Sequence, residues 1–302
     1  MNYRELIRNG FLELLNSGID ERIAKQDAED LLLYSLKLSK NELLKIYNKD
    51  VNDREKNIYN KYIQERNTRK PFAYITHDAN FFGYNFFVNE ATLIPRIDSE
   101  FLVENAINSF LKDKNIIEKI KDKKKIKILD ACCGSGCLGI SFVKKITEKK
   151  IDQLIYEVEL TLMDVSNSAM QVAKFNAKTL LCDEKIIINY LINNILINGF
   201  GNEKYDIIMC NPPYIKSEEI KNLDVSVKNF EPHLALDGGE DGLKFYKTIS
   251  STLHKNFSQD CIAFFEIGYN QGNDVKNIFS NIGFKVSIMK DYCNNDRCVV
   301  LR

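Results

Sequence analysis

The sequence predicts an α/β protein in which a small helical bundle precedes a doubly wound, mostly parallel sheet. Three observations carry this reading. Up to residue 75, apolar side chains recur at helical spacing between charged ones, as in Leu6, Ile7, Phe11, Leu14 and Leu15. From residue 91 onward, short apolar runs alternate with helix-like stretches to the C-terminus. One of these runs, residues 126–130, passes through a loop of small residues into the apolar stretch 138–143. That order of strand, small-residue loop and helix forms the ligand-binding turn of a doubly wound sheet, at the carboxyl ends of its strands.

Taken in order, the first 75 residues predict four or five short helices. Their apolar faces continue through Ala28, Leu31, Leu32 and Leu36, then Leu43, Leu44 and Tyr47, then Ile58, Tyr62 and Ile63. Residues 76–90 hold Phe81, Phe82, Tyr84, Phe86 and Phe87 around Gly83 and Asn85, which predicts a β-hairpin linker. Its rings are expected to pack between domains rather than to stack on bases. The Lys-rich run 111–127 predicts an exposed helix and loop, and residues 144–150 a solvated helix end. Strands are expected at 126–130, 159–164, 186–192, 205–210, 261–266, 284–288 and 298–301. No internal repeat is present.

Three of these strands end on residues suited to a ligand. The first ends at Asp130 and opens into Ala131-Cys132-Cys133-Gly134-Ser135-Gly136-Cys137. Gly134 and Gly136 allow a close backbone approach and positive φ. The spacing is not G-x-G-x-x-G and no Lys follows, which disfavours a dinucleotide or a nucleoside triphosphate. A short glycine loop with an acid at the strand end suits S-adenosylmethionine, whose methionyl part carries an ammonium group. The second strand ends at Asp164, placed to accept hydrogen bonds from ribose hydroxyls. The alternative for Asp164 is a helix N-cap, because helix-like residues 169–177 follow. The third leads to Asn193, Asn194 and Ile195, an expected adenine-contacting turn.

The strand at 205–210 runs into Asn211-Pro212-Pro213-Tyr214. Two prolines remove two backbone donors and fix two φ angles. Asn211, before a proline, is held toward extended geometry. The product is a stiff loop whose Asn side-chain oxygen and backbone carbonyls can accept hydrogen bonds from an NH2 group. Tyr214 can lie flat over a planar one. This suits an amide or an aromatic amine.

Composition narrows the class. The chain has 302 residues, 44% of them hydrophobic and 28% charged, enough for about two globular domains. Lys+Arg and Asp+Glu both number 42, so the net charge of zero argues against broad tracking of nucleic-acid phosphates. Six of the eight cysteines (Cys132, Cys133, Cys137, Cys182, Cys210, Cys261) lie in or beside apolar runs, and Cys293 and Cys298 lie in a polar segment. Without a Cys-x-x-Cys, and with His77, His233 and His254 scattered, no zinc site is expected. The pattern fits a reducing cytoplasm. No run approaches the ~20 apolar residues of a membrane span, and no signal sequence is expected.

These residues resemble the bacterial release factor glutamine methyltransferases, a family of protein-(glutamine-N5) methyltransferases. The likeness covers nearly the whole chain. It includes Asp27-Ala28-Glu29-Asp30-Leu31-Leu32-Leu33, Glu65-Arg66-Asn67-Thr68-Arg69-Lys70-Pro71-Phe72-Ala73-Tyr74-Ile75 and Phe81-Phe82-Gly83. It continues through Thr92-Leu93-Ile94-Pro95-Arg96-Ile97-Asp98-Ser99-Glu100, Asn229-Phe230-Glu231-Pro232 and Asn294-Asn295-Asp296-Arg297. Three residues depart from the family pattern. Ile97 replaces a second proline, Cys132 replaces the first loop glycine, and Asn194 stands where an Asp is common at the adenine edge. The stretch from the glycine loop to Asp164 is also longer than usual.

The resemblance implies a helical substrate-docking domain over 1–75, a hairpin linker over 76–90 and a methyltransferase domain over 91–302. The last would be a Rossmann-like, S-adenosylmethionine-dependent fold with a seven-stranded, mostly parallel sheet and an antiparallel edge. S-adenosyl-L-methionine is expected on Asp130, Cys132, Cys133, Gly134, Ser135, Gly136, Asp164, Asn194, Ile195 and Asn211. Asn211, Pro212 and Tyr214 are the expected catalytic residues, with Pro213, Phe230 and Glu231 also contacting substrate. Glu231 has a second reading as a surface carboxylate. Asn211 Oδ1 and the Pro212 carbonyl would accept the two hydrogens of a glutamine amide, and Tyr214 would flatten on its plane. The implied partner is a peptide-chain release factor presenting the glutamine of a Gly-Gly-Gln loop, with consequences for translation termination. The chain is expected to be monomeric, without a metal and without direct contact to nucleic acid or membrane. Alternatives are a DNA adenine-N6 methyltransferase, glutamine methylation of a ribosomal protein, and a non-catalytic cofactor-binding protein.

Overall fold

A computed structural model describes residues 1–148 and 157–302. The chain forms two compact units, one of residues 1–77 with 224–230 and one of residues 78–223 with 231–302.

The first unit contains α1 (Tyr3–Asn16), α2 (Glu21–Leu36), α3 (Lys40–Ile46), α4 (Asp53–Asn67) and α5 (Phe72–Thr76). Local chemistry starts these helices. Asn2, Ser39 and Asn52 each form a capping box, with Glu5, Glu42 and Glu55 reaching back, and Asp20 caps α2. The apolar faces then close over Leu6, Leu14, Ala24, Leu31 and Ile63. Tyr59 lies fully buried among them and donates to the Ala28 carbonyl at 3.1 Å. Gly10 makes room for it, since a Cβ there would come within 2.1 Å of the Tyr59 oxygen. Arg66 and Asp27 pair at 2.7 Å inside the bundle. Arg69 meets Asp224 at 2.8 Å, which ties residues 224–230 to this unit.

The second unit begins with a hairpin, β1 (Asp78–Phe81) and β2 (Tyr84–Phe87). Residues 76–90 read as a linker in the sequence. In the structure, Phe81 and Phe86 are fully buried in the main core of this unit. Phe87 N donates to Asn176 Oδ1, and Asn176 Nδ2 donates back to the Phe87 carbonyl. Burying two Phe side chains contributes about 1.5–3 kcal/mol each, which makes the hairpin part of the domain. The chain continues through α6 (Ile97–Lys112), α7 (Lys114–Lys123), β3 (Lys125–Ala131), α8 (Cys137–Glu148), β4 (Glu157–Asp164) and α9 (Asn167–Leu180). It proceeds through β5 (Ile186–Ile192), α10 (Ile195–Asn198) and β6 (Tyr205–Cys210), and visits the first unit at α11 (Val225–Lys228). It closes with α12 (Lys244–Ser250), β7 (Phe257–Glu266), α13 (Gly272–Ser280), β8 (Val286–Lys290) and β9 (Asp296–Leu301).

The seven strands lie in the order β5-β4-β3-β6-β7-β9-β8. β5 through β7 pair in parallel, and β9 runs antiparallel to β7 and β8. Helices cover both faces, so β6 is buried along its whole length and is apolar from Ile207 to Cys210. The strand order reverses between β3 and β6, which opens a crevice at their carboxyl ends.

Three expectations are corrected. The Lys-rich run 111–127 is not all exposed helix and loop, because Ile116 is buried and β3 begins at Lys125. Lys125 reaches Glu157 and Glu159 at 2.6 and 2.7 Å, so its charge is carried by ion pairs at the amino ends of β3 and β4. Cys298 is fully buried, because β9 lies between β7 and β8 and is buried on both faces from Cys298 to Leu301. Glu231 is no surface carboxylate, since 1% of its side chain is exposed. Lys149 and Lys150, at the end of the expected solvated segment, lie outside the described residues. Among the described residues no helix is long and apolar enough to cross a membrane.

Candidate active site

The loop after β3 is shaped by three left-handed residues, Cys132 (φ 56°), Gly134 (φ 52°) and Gly136 (φ 79°). Glycine adopts this region without penalty, whereas Cys132 does so at a cost of about 1–2 kcal/mol. Asp130 stands behind the loop, fully buried. Its Oδ2 accepts the Gly139 N–H at 2.8 Å, and its Oδ1 has no partner. Burial, joined by the charge of Asp164, pushes its carboxyl up to about 8 against the Gly139 bond. Gly139 is required for this approach, since a Cβ would lie 2.8 Å from the Asp130 Cβ.

Asp164 closes β4. Its Oδ2 accepts from Gly134 N and its Oδ1 from Ser166 N, both at 2.9 Å. Burial raises its carboxyl, with backbone donors opposing. Ser166, not Asp164, caps α9, accepting from Ala169 N at 3.2 Å. Beyond β5, Asn194 caps α10 with its oxygen on Leu196 N at 3.0 Å, which leaves its NH2 as the outward group.

β6 delivers the Asn-Pro-Pro-Tyr loop. Asn211 Nδ2 donates to Ser99 Oγ at 3.3 Å. Tyr214 donates its hydroxyl to Glu266 Oε1 at 3.2 Å, and its backbone oxygen accepts from Gln271 Nε2 at 3.0 Å. Gly238 and Gly242 let the next loop press on this one, because a Cβ at either would come within 2.7 Å of Tyr214 or its Gln271 partner. Glu231 pairs with Arg96 and accepts from Ile94 N at 3.1 Å, so it anchors the 94–96 segment to the following loop. The departure at Ile97 carries no packing penalty, because it opens α6 and is 80% exposed.

These parts surround a cleft of roughly 1130 Å³, counted out to its open mouth and lined by residues of the second unit. Of the expected cofactor residues, Cys132, Cys133, Gly134, Ser135, Asp164, Asn194, Ile195 and Asn211 line it, with Pro213 beside them. Asp130 and Gly136 sit behind the wall. Pro212 is buried, and Tyr214 is turned toward Glu266 instead of the cleft. Glu231 acts on the wall through Arg96, and Phe230 belongs to the first unit. Ser99, Thr92, Leu93 and Arg96 form a further wall that the sequence reading did not assign. Glu266 was also missed, although an acid ending an apolar strand is the signal that marked Asp130 and Asp164. No comparable signal points to Gln271.

Comparison with known proteins places this architecture. The PrmC N-terminal domain family matches residues 5–76, and the Methyltransferase small domain family matches residues 113–231. The chain is 35% identical to a release factor glutamine methyltransferase of Clostridium acetobutylicum over 91% of this chain and 90% of that one. It is 33% identical to the protein of that name from Chlamydia trachomatis serovar L2, over 97% and 92% of the two chains. It is 38% identical to that of Leptospira interrogans, over 70% and 68%. With such identity across nearly its full length, joined to a doubly wound sheet whose switch-point crevice holds Asn211, Asp164 and the glycine loop, the chain belongs to the release factor glutamine methyltransferase family.

Proposed function

We propose that this protein methylates the side-chain amide nitrogen of a glutamine in a peptide-chain release factor, with S-adenosylmethionine as donor, and so tunes translation termination. The observation that carries the reading is Asn211 on the wall of the same cleft as Asp164 and the glycine loop. The cleft fits a cationic donor. Asp130 is fully buried and Asp164 half-buried, the charge of Asp164 adds to the cost of ionising Asp130, and Asp130 keeps one oxygen unpartnered. A nearby ammonium or sulfonium favours the charged form of both carboxylates. In this reading Asp164 accepts from ribose hydroxyls and Asn194 meets the adenine edge.

The amide nitrogen of glutamine is a weak nucleophile, because its lone pair is delocalised into the carbonyl. In this reading Asn211 Oδ1 and the Pro212 backbone carbonyl accept the two amide hydrogens and orient that lone pair. Pro212 and Pro213 keep the acceptors stiff, so little order is lost when substrate binds. Orientation of this kind supplies ~7–11 kcal/mol in favourable systems. When bound, S-adenosylmethionine supplies the methyl group on a sulfonium leaving group. Tyr214 serves by holding the loop through Glu266 instead of stacking on the amide. The 1–77 unit, with residues 224–230, is assigned to docking of the release factor, which makes this a cytoplasmic enzyme. Purified protein with labelled S-adenosylmethionine, offered intact release factor, its Gln→Ala variant in Gly-Gly-Gln, ribosomal protein and DNA, tests the reading. Label on the intact release factor alone is expected, and label on DNA or ribosomal protein instead would overturn it.

A further inference from the structure

Glu266 has no part in the chemistry described so far, yet it ends β7 almost fully buried beside the amide-gripping loop. Its Oε2 accepts from Ser99 Oγ at 2.6 Å and its Oε1 from the Tyr214 hydroxyl at 3.2 Å. The Ser99 distance is that of a charge-assisted O–H···O⁻ bond. Burial raises the Glu266 carboxyl above its ordinary value, and the Ser99 bond, the positive charge of Arg297 on β9 and the Tyr214 bond oppose that rise and favour the ionised form. Ser99 is itself buried, and its Oγ accepts from Asn211 Nδ2 at 3.3 Å.

With Glu266 ionised, the proton count along this chain has one solution. A carboxylate only accepts, and a serine hydroxyl has one proton to give. Once Ser99 donates that proton to Glu266, its oxygen can only accept. Asn211 must therefore turn its NH2 toward Ser99, which leaves Oδ1 for the cleft. The two ends of an amide have the same shape, so packing alone cannot make this choice. We infer that Glu266 and Ser99 form a polarity relay that fixes which end of the Asn211 amide faces the substrate. Both are positioning residues, acting through Asn211. The inference rests on the reading of Asn211 as acceptor for a glutamine amide.

Glu266→Gln keeps the shape and reverses the polarity. Tyr214 donates to the new amide oxygen, the new NH2 donates to Ser99, and the freed Ser99 proton goes to Asn211 Oδ1. The Asn211 amide then rotates and offers hydrogens to hydrogens. In the full chain at pH 8, kcat is expected to fall at least tenfold, with KM for release factor and cofactor affinity within about twofold. Asn211→Asp alone places an acceptor where Ser99 has no proton to give, and activity falls. Combined with Glu266→Gln, Ser99 can donate again, so the double variant is expected to exceed Asn211→Asp at least tenfold. A purely structural role for Glu266 predicts the opposite order. Hydrogen exchange of the Asn211 side-chain NH2 reads the relay without substrate. Protection is expected in the wild type and lost in Glu266→Gln, or in Ser99→Ala should the first variant fail to fold. An unchanged kcat in Glu266→Gln, a double variant no better than Asn211→Asp, or unchanged protection overturns the relay. Absence of transfer by the wild type onto release factor, with protection as expected, instead overturns the proposed substrate.

Discussion

Gly139→Ala adds one methyl at the closest approach of α8 to β3. The new carbon would sit 2.8 Å from the Asp130 Cβ, 2.9 Å from Leu160 Cδ1 and 3.0 Å from Asp130 Oδ2. Carbon atoms pack best at about 3.5–4.0 Å, so something must give. Leu160 can rotate within a crowded core, but the Asp130 Cβ is fixed to the central strand. The helix must retreat, which costs ~1–3 kcal/mol for overpacking. Retreat also lengthens the Gly139 N–H bond to Asp130, a hydrogen bond worth ~0.5–1.5 kcal/mol. Replacing glycine inside a helix returns about 1 kcal/mol of propensity. The losses win by roughly 1–3 kcal/mol, which lowers the melting temperature of the methyltransferase unit by roughly 2–12 °C. The glycine loop moves with the helix, so cofactor affinity falls about tenfold or more, near 1.4 kcal/mol. Calorimetric melting and titration with S-adenosylmethionine measure both quantities. A variant that melts with the wild type and binds cofactor equally well would refute the close-approach argument.

Four further outcomes are expected. Asn211→Ala leaves cofactor affinity near wild type and lowers methyl transfer by ~2.7–4 kcal/mol, the range for a lost oriented group at a reacting centre; single-turnover assays check it. Asn194→Asp keeps the α10 cap and turns a second acceptor outward, so S-adenosylmethionine should bind about five- to tenfold tighter by calorimetry, near 1–1.4 kcal/mol. Asp130 has its folded-state value raised to about 8. Stability from that group is therefore complete below its ordinary value near ~3.9 and is lost as pH rises through about 8, so wild type should melt progressively below Asp130→Asn over that window. A chain beginning at Asp78 retains the hairpin core but loses Arg69, the partner of Asp224. It should keep cofactor affinity and show a raised KM for intact release factor, with a short Gly-Gly-Gln peptide handled equally by both chains.

Local sequence determined much of this protein. Apolar period set the N-terminal helices, with a capping side chain on the first four, and a largely apolar run set β6, because these signals depend on neighbours within a turn or a strand. The glycine loop, Asp164 and Asn211 were also legible, since a strand end followed by a small or stiff loop marks the open edge of a doubly wound sheet. Other features depended on residues distant in the chain. The aromatic hairpin reads as a linker until Phe81 and Phe86 meet the core of α6 and α8. Asp130 reads as a cofactor contact until Gly139 draws it behind the wall. Tyr214 reads as a stacking ring until Glu266, 52 residues later, takes its hydroxyl. The direction of the Asn211 amide is set at the greatest remove, by Ser99 across 112 residues and Glu266 across a further 167. Hydrogen-bond polarity passes between groups in contact, whatever their separation in sequence, so only the folded sheet could decide which end of that amide meets the cleft.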